Sequence, residues 1–111
     1  MDKMQETNIL IIVVGILESL AENAITIEEA DKYFFSPRTA QLLSKNNCNS
    51  TIVDFIIECC ELEDIASSLP DRLQSSIEEL KNRAIAMLKG YEVSHESNWR
   101  DYDILQKILK N

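Results

Sequence analysis

The stretch ILIIVVGIL, residues 9–17, contains no polar side chain and raises four alternatives: a membrane anchor, an export signal, a buried strand or a helix. Nine apolar residues are too few to span a bilayer, which takes about 20 in a helix. Asp2 and Glu6 outnumber Lys3 before the run, whereas an export signal begins with positive charge, and no clear A-x-A cleavage pattern follows it. We therefore expect neither a membrane span nor an export signal.

The same stretch must then be a buried strand or a helix. Its β-branched residues are compatible with a strand, but the run continues without a break into ESLAEN. A helical spacing of three or four residues is kept by Leu10, Val13, Leu17 and Leu20. With Thr7 or Asn8 as the N-cap, the pattern predicts a helix over about residues 6–22. Its first half is apolar on all sides, which predicts a position at the centre of the fold.

The rest of the chain shows repeated signals for helix starts. Only two glycines and two prolines occur in 111 residues, far fewer than a sandwich or barrel needs for its turns. A capping box, a serine before proline and an asparagine–serine pair occur at Thr26/Glu29, Ser36/Pro37 and Asn49/Ser50. Residues 70–89 predict a long amphipathic helix that Gly90 ends. Residues 99–110 predict a last helix, whose inward positions are Tyr102, Leu105, Ile108 and Leu109. We expect an all-α, compact single domain, residues 1–111, of five or six helices around helix 6–22.

The charge balance limits the classes of partner. Nineteen acidic against eleven basic residues give a net charge of −8. Binding to nucleic acid needs clustered Lys and Arg, and an anionic membrane surface also attracts basic segments, so we expect neither partner. The three cysteines are odd in number and two are adjacent, which is a poor framework for disulfides and favours a reducing cytoplasm.

Most of this negative charge lies in one window. Residues 54–79 contain eight acidic residues and one arginine, a net charge of −7. Asp54, Glu58 and Glu61 stand at i, i+4 and i+7 in an otherwise apolar helix, so they form one acidic stripe. Two interpretations stay open: the stripe is the solvated edge of a buried helix, or it binds a partner or an ion. The candidate partner-binding residues are Asp54, Glu58, Glu61, Glu63 and Asp64.

No catalytic, metal-binding or cofactor-binding motif is found. The only histidine, His95, stands in a polar stretch without the Glu-x-x-His spacing of helical di-metal sites. Cys59 and Cys60 lack a C-x-x-C arrangement, and a free cysteine is commonly a small buried residue. The two glycines stand alone, so no phosphate-binding loop is present. We predict a protein that is not an enzyme and that has no catalytic residues, no metal and no cofactor.

A second group of candidates lies near the C-terminus. Trp99, Arg100 and Tyr102 are of the residue types enriched in binding hot spots. They are equally typical of a terminal helix that docks on its own core. We keep these three residues as secondary candidates for partner binding.

Two segments carry a resemblance to a known group of proteins. GILESLAENAITIEEADKYFFSP, residues 15–37, and CNSTIVDFIIECCELEDIASSLP, residues 48–70, resemble a family of short, uncharacterised bacterial cytoplasmic proteins. The shared patterns are G-x-L-E-S-L, F-S-P and E-L-E-D-I, and the resemblance covers most of residues 8–90. It implies a bacterial intracellular protein, and it assigns neither an activity nor site residues.

Two hypotheses about function follow. The first is a non-enzymatic protein-binding module whose acidic face recognises a basic protein; its concrete form is an immunity-type inhibitor of a basic nuclease toxin, by analogy of size and charge. The second is a structural or regulatory subunit that associates through apolar helix faces, for example as a homodimer. The local charge of −7 favours the first hypothesis, and the apolar helices favour the second.

Overall fold

The computed structural model describes residues 1–91 and 108–109. Its helices are α1 (Lys3–Ala21), α2 (Ile27–Tyr33), α3 (Pro37–Lys45), α4 (Ser50–Cys60), α5 (Leu62–Ser68) and α6 (Leu73–Lys89), with a 3₁₀ turn at Pro70–Arg72. No strand occurs in the described part of the chain, so the all-α class is confirmed. Four of these helices, α1, α3, α4 and α6, have nine residues or more, and α2 and α5 have seven each. Counted by the four longer helices, the number is slightly lower than the five or six expected.

Side-chain caps explain where several helices begin. The Thr26 hydroxyl accepts a hydrogen bond from the Glu29 N–H at 3.1 Å, and the Glu29 carboxylate accepts one from the Thr26 N–H at 2.8 Å. Ser36 caps α3 and Asn49 caps α4, each through its side-chain oxygen. These contacts satisfy N–H groups that have no partner inside the helix. The three predicted helix starts are confirmed.

Helix α1 begins earlier than its apolar stretch indicates. Asp2, not Thr7 or Asn8, is the N-cap, and it forms a capping box with Gln5. Thr7 and Asn8 are buried inside the helix, and the Thr7 hydroxyl donates to the Lys3 carbonyl at 2.8 Å. The predicted cap was therefore wrong: the N-cap lies five residues before Thr7, where the Asp2 side chain accepts a hydrogen bond from the Gln5 N–H.

Helix α1 is buried on one face only. Leu10, Val13 and Leu17 are fully buried, whereas Ile11 on the opposite face is 41% exposed and Gly15 is exposed. The expectation that this half is buried on all sides was wrong. The remaining described helices pack against one side of α1, so an apolar strip of the other side stays open.

Helix α6 runs antiparallel along α1. The Gln74 side chain donates to the Ala21 carbonyl at 3.2 Å, and the Lys81 ammonium lies 3.3 Å from the Glu18 carboxylate. The Tyr91 hydroxyl, just past α6, donates to the Glu6 carboxylate at 3.0 Å. The residue numbers of the partners on α1 thus fall as those on α6 rise, as expected for antiparallel helices. This pairing brings the end of α6 to the first turns of α1.

One core is built from all six helices. Helix α3 packs along α4, and α2 packs on α5. Helix α6 contributes Ile77, Leu80 and Ala84 as buried residues, while Leu73, Met87 and Leu88 on the same side are partly buried. The predicted helix over 70–89 begins with the 3₁₀ turn at Pro70–Arg72 before it becomes α-helical.

By length and composition alone, α1 could also cross a membrane. It has 19 residues, and half of its most apolar 18-residue window is buried against the rest of the protein. The core helix of a soluble protein has the same properties, and here α1 supplies the largest share of the buried core.

Candidate functional site

The candidate site lies on the outward face of α4. The inward face buries Ile52, Phe55, Ile56 and Cys59 in the core. On the outward face Asp54 and Glu61 are exposed, and between them Ile57 is 48% exposed. Ile57 follows Asp54 by three residues and precedes Glu61 by four, so the three side chains share one helix face. An isoleucine therefore stands in the middle of the acidic stripe.

The exposure of Ile57 differs from what the sequence indicates. Apart from the acidic stripe the sequence of α4 is mostly apolar, a pattern that favours burial of its apolar residues. A helix packed from one side can bury only about half of its circumference, so the apolar residue farthest from the core must face solvent. The spacing to Asp54 and Glu61 is the signal that could have identified it.

Glu58, the middle carboxylate of the stripe, has a partner on α6. The Arg83 guanidinium donates to the Glu58 carboxylate, and it lies 5.2 Å from the centre of the Phe55 ring. The hydrogen bond from Arg83 lowers the pKa of Glu58 and raises that of Arg83. Both side chains are 45% exposed, so solvent screens the pair and its contribution to stability is small.

Arg83 changes the charge pattern predicted for α4. Within residues 50–61 no basic residue relieves the three acids. The arginine that does so comes from 25 residues further along the chain. Among the described residues, Asp54 and Glu61 thus remain the uncompensated charges of the stripe, on either side of the Glu58–Arg83 pair.

The other two candidate acids lie in the first turn of α5. Glu63 and Asp64 are both exposed. Glu63 lines a small cavity between α2 and α5 together with Asp31 and Cys60. Asp31, which no pattern in the sequence singles out, therefore adds a carboxylate beside Glu63. We call the exposed side chains Asp54, Ile57, Glu58, Glu61, Glu63 and Asp64 the α4–α5 face.

The two adjacent cysteines have different surroundings. Cys59 is buried, and burial raises the pKa of its thiol strongly. Cys60 is half-buried, donates through its thiol to the Ile56 carbonyl at 3.2 Å, and also has a raised pKa because of burial and the nearby Asp31. Since the thiolate is the reactive form, both shifts disfavour redox or nucleophilic chemistry at neutral pH.

The secondary candidates Trp99, Arg100 and Tyr102 lie outside the described residues, as does the lone histidine, His95. Of the predicted last helix, the described residues Ile108 and Leu109 are helical but 63% and 76% exposed, so their expected inward orientation was wrong. Within residues 1–91 and 108–109, no group of three or more His, Cys, Asp or Glu side chains is placed to hold a metal ion.

A second polar cluster was not predicted from the sequence. Glu6 is 8% exposed, and its carboxylate accepts hydrogen bonds from the Asn49 N–H at 2.6 Å and from the Tyr91 hydroxyl at 3.0 Å. We call Glu6, Asn49 and Tyr91 the Glu6 clamp. It joins the first turns of α1, the N-terminus of α4 and the end of α6. Burial, together with the adjacent Glu6 carboxylate, raises the pKa of Tyr91 to about 12.

Comparison with known proteins supports the resemblance found in the sequence. No curated protein and no solved structure matches this chain. The model of one family, described as "Protein of unknown function (DUF3969)", matches residues 2–101, which is most of the chain. An uncharacterised family is what the sequence patterns implied. The chain therefore belongs to the DUF3969 family.

Proposed function

We propose that this protein is a non-enzymatic binding module whose α4–α5 face recognises a basic protein. The single observation that supports the proposal is the position of Ile57. It is an exposed apolar side chain with Asp54 and Glu61 on either side of it. Protein interfaces combine an apolar centre with a polar rim, and a few central residues provide most of the binding energy.

The charges of this face set the kind of partner. Its five carboxylates are opposed by one guanidinium, that of Arg83, which leaves a net charge of −4. Such a field accelerates association with a positively charged surface and repels acidic proteins. The partner should present Lys or Arg residues around an apolar recess that accepts Ile57.

The concrete form to test first is an immunity-type inhibitor of a basic nuclease toxin in the bacterial cytoplasm. Its support is the small size and the net charge of −8, together with the concentration of negative charge beside an apolar anchor. Inhibitors that act by binding need no catalytic groups of their own. The thiols with raised pKa values on α4 are in keeping with a non-enzymatic role.

The test begins with affinity capture from a lysate at low salt and at about 0.5 M salt, where exposed charges are screened within a few ångströms. We expect a basic protein to be retained at low salt and to be lost, at least in part, at high salt. Association and dissociation rates are then measured with that partner and with variants of the face.

Two pairs of variants separate charge from apolar contact. Asp54→Asn/Glu61→Gln should slow association several-fold, whereas Glu22→Gln/Glu28→Gln, with the same change in net charge, should not. Ile57→Ser should raise the dissociation rate about tenfold, as expected for a central anchor. Leu42→Ser on α3, where Leu42 is 47% exposed, is the matched control. If the controls affect binding as much as the α4 variants, the interface lies elsewhere.

A further inference from the structure

A half-open pocket lies between α4 and α6, at the edge of the α4–α5 face. It encloses about 200 Å³, and its walls are formed by Thr51, Asp54, Phe55, Glu58, Arg83 and Met87. The four residues from α4 follow a spacing of i, i+3, i+4 and i+7, and the two from α6 are four apart, so each helix presents one face to the pocket. Pockets for small-molecule ligands usually enclose about 300–1,000 Å³. The size of this pocket therefore suits a single side chain of a protein partner better than a small molecule.

The pocket combines an apolar floor with a negatively charged rim. Phe55 is buried and Met87 is half-buried, whereas Asp54 is exposed and Glu58 is partly exposed. A long basic side chain has the same division, because its methylene groups pack on apolar surface while its charged end stays in water. The pocket is thus complementary to a lysine or arginine side chain in both polarity and charge.

Arg83 shows how these walls hold a basic group. Its guanidinium donates to the Glu58 carboxylate and lies 5.2 Å from the centre of the Phe55 ring. The Glu79 carboxylate, one turn earlier on α6, also raises the pKa of Arg83. Three carboxylates, those of Asp54, Glu58 and Glu79, are therefore opposed by one guanidinium, which leaves a net charge of −2 among these four side chains. Negative charge thus remains for a further cation.

We propose that the α4–α6 pocket receives a lysine side chain of the basic protein partner, an inference that rests on the function proposed above. Asp54 and Glu58 are one helical turn apart, about 5–6 Å between their Cβ atoms, so one ammonium group can donate to both carboxylates. Lysine is favoured over arginine, because Arg83 already covers the Phe55 ring on which a second guanidinium would stack. An ammonium group is also a compact charge with three donors, whereas a guanidinium is a planar fork.

The pocket and the exposed Ile57 flank the same carboxylate. At 3.6 residues per turn, Ile57 lies on one side of Asp54 around α4, and Phe55 lies on the other. A partner that places an apolar recess over Ile57 therefore has the α4–α6 pocket directly beside it. The proposed lysine would stand next to that recess.

Met87 gives the pocket a spectroscopic reporter that needs no protein partner. The chain contains three methionines, and of these only Met87 lines the pocket. The full chain is labelled with ¹³C at its methionine methyl groups and titrated with Nα-acetyl-lysine N-methylamide at low, constant ionic strength. The corresponding norleucine derivative lacks only the ammonium group, and the arginine derivative carries a guanidinium in its place.

Two double variants test the carboxylates of the pocket. Asp54→Asn/Glu58→Gln removes both charges proposed to hold the ammonium group. Glu61→Gln/Glu63→Gln makes the same change in net charge elsewhere on the α4–α5 face and is the matched control. Circular dichroism at 222 nm verifies that each variant remains folded.

We expect the lysine derivative to shift the Met87 methyl resonance saturably, with a dissociation constant in the millimolar range, and the norleucine derivative to leave it unchanged. Asp54→Asn/Glu58→Gln should raise that constant about fivefold or more, and the control variant less than about twofold. Three results would overturn the proposal: an unresponsive Met87, equal weakening in both double variants, or tighter binding of the arginine derivative.

The titration fails independently of the function proposed above. An unresponsive Met87, together with a basic protein whose capture depends on Ile57 and Asp54, would reject the lysine pocket and retain the binding face. A responsive Met87 in a chain that captures no basic protein would support the pocket and reject the proposed function.

Discussion

Glu6 and Glu58 are carboxylates with partners from distant parts of the chain, but their surroundings differ. Glu6 is 8% exposed and accepts hydrogen bonds from an amide and a hydroxyl on two other parts of the fold. The Glu58 side chain is 45% exposed, and its hydrogen bond comes from the equally exposed Arg83. The first carboxylate lies where three helices meet; the second lies on the candidate binding face.

This difference separates a carboxylate that stabilises the fold from one that is free to exchange partners. A buried acceptor whose donors are removed leaves polar groups without partners, which costs about 1–3 kcal/mol for each group. An exposed ion pair is replaced by water at almost no cost. The α4–α5 face can therefore change its contacts without unfolding, as recognition requires, whereas the Glu6 clamp cannot.

The largest effect is expected at the buried carboxylate. Glu6→Ala should lower the free energy of unfolding by about 2–4 kcal/mol, because the Asn49 N–H and the Tyr91 hydroxyl lose their acceptor. Glu6→Gln should cost less, since its amide oxygen can still accept and the Tyr91 hydroxyl can rotate to accept from the amide nitrogen. Urea denaturation measures both. Equal losses for Glu6→Ala and Glu58→Ala would contradict the distinction drawn between the two regions.

The next effect concerns alkaline pH. Tyr91 has a pKa of about 12 in the folded protein, against about 10 when unfolded. Between these two pH values the folded state binds more protons than the unfolded state. The contribution of the protonated Tyr91 hydroxyl to the free energy of unfolding is therefore complete below pH 10 and is lost as pH rises towards 12, by at most about 1.4 kcal/mol per pH unit. Tyr91→Phe should cost about 1 kcal/mol at pH 7 and lose this dependence. A wild-type and a variant curve that stay parallel above pH 10 would show that Tyr91 is not buried against Glu6.

The exposed ion pair should contribute less. A double-mutant cycle with Glu58→Gln and Arg83→Gln should give a coupling energy below about 1 kcal/mol. The hydrogen bond lowers the pKa of Glu58, so the coupling is present above the unfolded-state pKa of a glutamate, about 4.3, and is lost as pH falls through the folded value. A coupling above about 2 kcal/mol would make the pair a structural link between α4 and α6.

The smallest effect is expected at the unpaired acids. Asp54→Asn/Glu61→Gln should change the free energy of unfolding by no more than about 0.5 kcal/mol for each residue, because both side chains are exposed and have no partner within the described residues. Thermal denaturation at low and high salt tests this expectation. A large loss would mean that these carboxylates support the fold and would remove them from the proposed binding face.

Local signals in the sequence determined the all-α class and several helix starts. Thr26, Ser36 and Asn49 cap their helices through backbone N–H groups two or three residues away, so nearest neighbours contain the necessary information. The scarcity of glycine and proline excluded a fold rich in tight turns for the same local reason. The grouping of Asp54, Ile57 and Glu61 on one face also follows from helix periodicity alone.

Only the tertiary structure decided what these residues face. Glu6 is buried because Asn49 and Tyr91, 43 and 85 residues away, converge on it, and Arg83 reaches Glu58 across 25 residues. No local pattern contains such pairings. The exposure of Ile57 and of the α1 strip at Ile11 likewise depends on how many helices surround α1 and α4. Periodicity predicts which residues share a face, and packing decides whether that face meets the core or the solvent.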